Sequence, residues 1–141
     1  MSKIDHVHLR VSDLQKSTDF YQSILGFRVL KNESSLKTAV LSTTDSDNKI
    51  TTPLLALTEL QKKDGVSHYS KIKKEAGLYH FAILLPERKF LASFLRHIQN
   101  NLDSQYYEGM ADHSVSESIY IHDPDFNGIE VYRDRLHSEW I

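Results

Sequence analysis

The chain has 141 residues, 40% hydrophobic and 26% charged, and a formal net charge of −2. That balance describes one folded domain, or two small repeats sharing a core, and excludes a disordered chain, a basic nucleic-acid footprint and a polybasic membrane surface. Cysteine is absent, which excludes a disulfide framework, thiolate metal sites and a cysteine nucleophile.

Residues 4–11 alternate with period two, setting Val7, Leu9 and Val11 on one face and His6, His8 and Arg10 on the other. Ser12 offers an N-cap oxygen, and Gln15 three residues on completes a capping-box pattern. Leu14, Phe20, Tyr21, Ile24 and Leu25 then recur at helical spacing, and Gly26 marks the stop. Strands are predicted at 27–32, 38–42 and 53–58, the last two separated by the polar turn 43–49. From 59 to 76 the chain is charged and loses periodicity. Its basic pieces, Lys62-Lys63 and 71–74, are interspersed with Asp64 and Glu75 and read as a solvated connection.

The second half repeats the order. Residues 78–85 place Tyr79, Phe81, Ile83 and Leu85 opposite His80. Pro86 suits a first helical turn, and Phe90, Leu91, Phe94, Leu95 and Ile98 form the apolar stripe of the helix that follows. A short strand at 106–108 precedes strands at 117–122 and 128–133, the last two joined by the turn 123–128. The organisation predicted is a first module at 1–58, a connection at 59–76, a second module at 77–135 and a tail at 136–141. No apolar run approaches the ~18 residues of a membrane span. The N-terminus shows no charged and then apolar signal pattern, so a soluble cytoplasmic protein is expected.

Each half reads strand, helix, three strands. A helix that covers one sheet face draws the apolar alternates toward it and leaves the others facing away. By that parity Leu55 and Leu57 leave Leu54, Ala56 and Thr58 opposite, and Ile119 and Ile121 leave Ser118, Tyr120 and His122 opposite. Ile129 and Val131 likewise leave Glu130 and Tyr132. His6, His80 and Glu130 therefore fall on the non-helix face of three strands, and two such sheets curved toward each other would enclose a polar cleft. Two imidazoles and a carboxylate with open positions opposite form the donor set of non-haem Fe(II) oxygenases. A single strand histidine is more often a satisfied core or surface residue. The joint pattern points to a metal, because a carboxylate between Ile129 and Val131 needs a partner. His8 and Tyr132 would line the pocket. His113, ahead of a strand entering the cleft, and Tyr120, pointing inward, are the candidate proton-handling groups. A local cap and a pocket wall are their plainer roles. His68, His97, His122 and His137 fit no pattern.

These residues also carry a family resemblance. Residues 5–14 (Asp-His-Val-His-Leu-Arg-Val-Ser-Asp-Leu), with Phe20-Tyr21 and Leu25-Gly26-Phe27, resemble the opening of the vicinal oxygen chelate superfamily. Tyr79-His80-Phe81-Ala82 and Asp123-Pro124-Asp125 through Asn127-Gly128-Ile129-Glu130-Val131-Tyr132 resemble its later motifs, so the likeness covers nearly the whole chain. The resemblance implies an α+β fold of two βαβββ modules whose curved mixed sheets enclose a metal cleft. It implies metal ligation by His6, His80 and Glu130, with Fe(II) the first expectation for the divalent metal and Mn(II) the next. It further implies a small-molecule substrate binding through two oxygens, and a homodimer. Glyoxalase I draws a further carboxylate from the fourth strand of the first module. That position here is Ala56, and Glu59 falls on the helix side by parity.

Within the superfamily, residues 77–86, 112–117 and 132–135, with Ser138-Glu139-Trp140, resemble catechol-2,3-dioxygenase-like proteins, in which this last segment leads into a second half. The activity implied is extradiol ring cleavage: a catecholate held through both oxygens at Fe(II) beside dioxygen, with His113 and Tyr120 handling protons. The alternatives are a Mn- or Mg-dependent thiol transferase of the fosfomycin-resistance type, a glyoxalase-type lyase and a non-catalytic small-molecule-binding module. The first calls for a basic potassium- and phosphonate-binding surface, of which only Arg10 is visible. Drug-binding relatives typically lack the triad, which counts against the last.

Overall fold

The alternation at the start of the chain forms β1 (Val7–Val11), which buries Leu9 and Val11 and exposes His8 and Arg10. His6 stands one residue ahead of the strand rather than inside it. The computed structural model describes residues 5–44, 47–50, 52–60 and 80–140, and divides into a first unit, 1–76, and a second, 77–141. The connection predicted at 59–76 and the start of the strand predicted at 78–85 lie mostly outside the described residues.

Helix α1 (Leu14–Ser23) is capped one residue later than the sequence pattern indicates. Asp13, not Ser12, is the N-cap, and its carboxylate accepts the Lys16 N–H at 2.9 Å. Gln15 donates instead to Asp19 Oδ1 at 2.8 Å. A second anion, Glu59 Oε2, accepts the Leu14 N–H at 3.0 Å. Two carboxylates thus meet the unpaired amides and the positive end of the helix, a charge-assisted arrangement that a neutral serine cannot match. At the other end Gly26 adopts φ +71°, and its N–H reaches Gln22 O while Phe27 N–H reaches Tyr21 O. This left-handed exit brings the Tyr21 and Phe27 rings edge to face with centroids 6.0 Å apart.

Strands β2 (Arg28–Glu33), β3 (Thr38–Ser42) and β4 (Leu55–Glu59) complete the first sheet in the order β1-β4-β3-β2, with β1 and β4 parallel and the other pairs antiparallel. Leu9, Val11, Tyr21, Leu41, Leu55 and Leu57 form its core. The second unit follows the same plan. It contains β5 (His80–Leu84), α2 (Arg88–Asn101), a 3-10 turn at Ser104–Tyr106, β6 (Tyr107–Asp112), β7 (Ser116–His122) and β8 (Gly128–Asp134), with sheet order β5-β8-β7-β6. Among the described residues the fold is α+β, two four-stranded mixed sheets each with one helix, as the repeat of elements predicts.

Even the irregularities repeat. The edge strand of each unit shifts register once, between Val29 and Lys31 in β2 and between Tyr107 and Gly109 in β6. The second bulge, with Gly109 at φ +137°, interrupts the alternation and hides most of a six-residue strand from a period-two reading. Pro86 lies two residues before α2, whose N-cap is Glu87, because Leu85 still pairs with β8 through its N–H to Tyr132 O at 2.7 Å. Phe90 falls outside the buried stripe, which is anchored by Leu91 and Ile98.

On the helix side of the second sheet, Arg133 is only 5% exposed. It donates from Nε to Glu117 at 2.7 Å and from Nη1 to Glu139 at 2.6 Å, tying the segment after β8 to the sheet. Glu117 also receives Arg88 Nε on both oxygens, at 3.1 and 2.9 Å. The Arg88 hydrogen bonds, with those of Arg133, hold its carboxyl below the usual range against the opposing effect of burial. The Arg-Asp-Arg and Ser-Glu-Trp motifs therefore have a local structural role.

Substituting Asp13→Ala is expected to lower stability by about 1 kcal/mol, read as a lower urea midpoint, with Ser12→Ala costing less.

Candidate functional site

Glu130 is the residue around which the polar face of the second unit is built. On β8 it sits directly across from Tyr120 of β7 and beside Ala82 of β5, so Ser118, Tyr120, His80 and Glu130 share one face. Its Oε1 accepts the Ser118 hydroxyl at 2.7 Å and the Tyr120 hydroxyl at 2.9 Å, and its Oε2 lies 3.2 Å from His80 Nε2. Burial would raise the Glu130 pKa, but the two hydroxyl bonds and the positive charge available on His80 and His113 outweigh it, and the pKa falls below the ordinary carboxylate value. A carboxylate only accepts, so Tyr120 gives its single hydrogen to Glu130. Its oxygen then receives a hydrogen from His113 Nε2, 2.9 Å away. His113, Tyr120 and Glu130 form one directional chain of hydrogen bonds. Tyr132, two residues beyond Glu130, has its pKa raised by burial and by Asp134 and Glu130, and stays a neutral phenol.

In the first unit, His8 pairs in register with Ala56 of β4, and Ala56 is 9% exposed. Thr58, the next β4 residue on that face, accepts or donates a 2.8 Å bond with His8 Nε2 and lies 3.0 Å from Thr38 Oγ1. The strand's carboxylate, Glu59, is on the helix side, held by Leu14 N–H and by Lys37 Nζ at 2.7 Å. β4 thus supplies no acid to the face of His8. His6 Nδ1 is 2.9 Å from Asp5 Oδ2, which leaves Nε2 as the end available to a ligand.

Among the described residues, no group of three or more acid or imidazole side chains gathers at metal-holding distance. Of the expected triad, His80 and Glu130 stand together in the second unit and His6 stands in the first. The pair fits a divalent ion. Two ligands about 2.1 Å from one ion and at right angles to each other are about 3.0 Å apart, and His80 Nε2 and Glu130 Oε2 are 3.2 Å apart. An ionised carboxylate beside an imidazole is also the chemically appropriate donor pair.

Residues 3–131 match the family model described as Glyoxalase/Bleomycin resistance protein/Dioxygenase superfamily. The chain belongs to that superfamily. It is 34% identical over 137 residues to a catechol-2,3-dioxygenase of Bacillus subtilis (strain 168), a match that covers 97% of the chain and 43% of that relative. The chain spans less than half the length of this curated relative. Among solved structures in the superfamily's fold, a lactoylglutathione lyase from Agrobacterium tumefaciens aligns with a TM-score of 0.65 at 17% identity, covering 94% of each chain. A variant of a fosfomycin resistance protein from Listeria monocytogenes aligns at 0.66 with 18% identity, covering 99% of this chain and 95% of its own. That variant was solved with Mn(II) and 1S,2S-dihydroxypropylphosphonic acid.

Sequence reasoning did not single out Ser118. Its parity was legible, but its diagonal bond to Glu130 depends on the register of β7 against β8. His122 is a buried structural residue: its ring stacks on Phe126 at 4.4 Å, and its Nδ1–H donates to Asp123 O at 3.0 Å.

The lowered pKa of Glu130 adds stability that is complete above the unfolded carboxylate value, about 4.3, and is lost as pH falls through the folded value. Ser118→Ala and Tyr120→Phe each remove one donor and are expected to raise the Glu130 pKa, as read from its carboxylate carbon resonance. An unchanged titration in both would contradict the assignment.

Proposed function

We propose that the chain forms a metal-dependent enzyme site of the extradiol dioxygenase type. His80 and Glu130 would hold a divalent metal, Fe(II) or else Mn(II). The observation that carries this reading is the His80–Glu130 pair, whose donor atoms are 3.2 Å apart and whose carboxylate is held ionised. The 34% identity to a catechol-2,3-dioxygenase supports the choice of substrate class, a small molecule binding through two neighbouring oxygens. When bound, the metal supplies Lewis-acid and redox chemistry.

The chain's own residues supply position and proton handling. Ser118 and Tyr120 occupy Glu130 Oε1 and turn Oε2 toward His80. His113 and Tyr120 are the catalytic candidates: the hydrogen shared between His113 Nε2 and Tyr120 Oη would move to or from a substrate hydroxyl. Tyr132, on the face of Glu130, would line the substrate pocket, while His8 and Ala56 share one face of the first unit. Ala56 offers no donor atom, and Glu59 is committed to α1 and Lys37, so a carboxylate from β4 able to move a proton between carbons is lacking. This disfavours a glyoxalase reaction.

Protein purified anaerobically is expected to hold about one Fe(II) or Mn(II) per site, and His80→Ala to lose it, as measured by elemental analysis. Oxygen uptake with a panel of catechols then tests ring cleavage. Metal binding with thiol transfer and no oxygen uptake would favour the fosfomycin-type alternative, and failure to bind metal would overturn both.

A further inference from the structure

A separate groove of about 350 Å³ runs along the helix side of the second sheet, between α2 and the β6–β7 pair. Its volume lies in the range of small-molecule sites. Leu91, Ala92 and Leu95 form one wall, and Met110 and Ile119 form the other. Arg88, Asp112 and Glu117 close one end.

The hydrogen bonds at that end define what it lacks. Glu117 already accepts from Arg88 and Arg133, with Arg135 at 3.4 Å, and Asp112 accepts from Arg135 and from Ser114 N–H. Arg88 uses only its Nε, and its side chain is 72% exposed, so its terminal N–H groups meet no protein acceptor among the described residues and stand open to solvent or a ligand. Arg135 Nε is buried and also unmatched. This end therefore offers both donors, on Arg88, and an acceptor, on Asp112, whose two bonds leave lone pairs. Arg88, Arg133 and Arg135 balance Asp112, Glu117 and Glu139, so no excess charge recruits an ion.

We propose that this groove binds an uncharged aromatic alcohol or phenol. Its hydroxyl oxygen accepts from Arg88, its hydrogen goes to Asp112, and its apolar body lies along Leu95, Met110 and Ile119. The inference does not rest on the metal reading, because every residue it uses is on the opposite face from Glu130.

The sequence has only two methionines, Met1 and Met110, so methyl labelling gives a reporter inside the groove. With chelator present, 2-naphthol is expected to shift the Met110 methyl resonance saturably. Ala92→Phe fills the groove from an exposed helix position and should weaken binding by about tenfold or more, and Arg88→Met by roughly threefold to tenfold. The anion 2-naphthoate should bind more weakly than 2-naphthol. The proposal is overturned if the Met110 signal does not saturate, if Ala92→Phe binds as well as wild type while its amide spectrum stays folded, or if the naphthoate binds more tightly.

Discussion

A carboxylate set into the face of a sheet must be met by donors, and the polar side of the second unit is organised by that requirement at Glu130. Its neighbours along β8, Ile129 and Val131, are buried against the helix side, so the side chain has no choice of face. Antiparallel register puts Tyr120 directly opposite it and Ser118 on the diagonal, which supplies two hydroxyls to one oxygen. Parallel pairing with β5 brings His80 to the other oxygen. Keeping this anion ionised while half-buried favours both a hydrogen-bonded network and a bound cation.

The same strands satisfy a second set of charges on their other face. β7 alternates Glu117, Ser118, Ile119 and Tyr120, so one strand serves the arginine cluster on the helix side and the carboxylate on the other. Arg133 is nearly buried and would be costly without Glu117 and Glu139. Their bonds keep the end of β8 in register and therefore keep Glu130 opposite Tyr120. In the first unit the corresponding economy lies in β4. Glu59 completes the N-terminus of α1, while Ala56 and Thr58 leave the face of His8 without an acid.

The alternation of apolar residues made the repeat of elements and the faces of five strands legible in the sequence, because period-two parity is a local property. Features that depend on pairing between distant segments were not legible. Ser118 gains its role only from the register of β7 with β8, and Arg133 from partners 16 residues before it and 6 after it in the chain. Local signals also failed where two residues competed. Ser12 and Asp13 both precede α1, and the charged side chain took the cap. The sequence shows only a short strand where β6 runs, because a bulge and Gly109 break its alternation. Spacing alone places Phe90 in the helix stripe, yet it is 44% exposed beyond the edge of the buried face.

The reading stands or falls on whether His80 and Glu130 hold a divalent metal. Pulsed electron paramagnetic resonance of the Mn(II)-loaded protein, with nitrogen-15 in its histidines, counts coordinated imidazoles directly. The wild type is expected to show coupled histidine nitrogen, with one imidazole fewer in His80→Ala. A wild-type spectrum with no coupled imidazole, or a spectrum unchanged in His80→Ala, would contradict it.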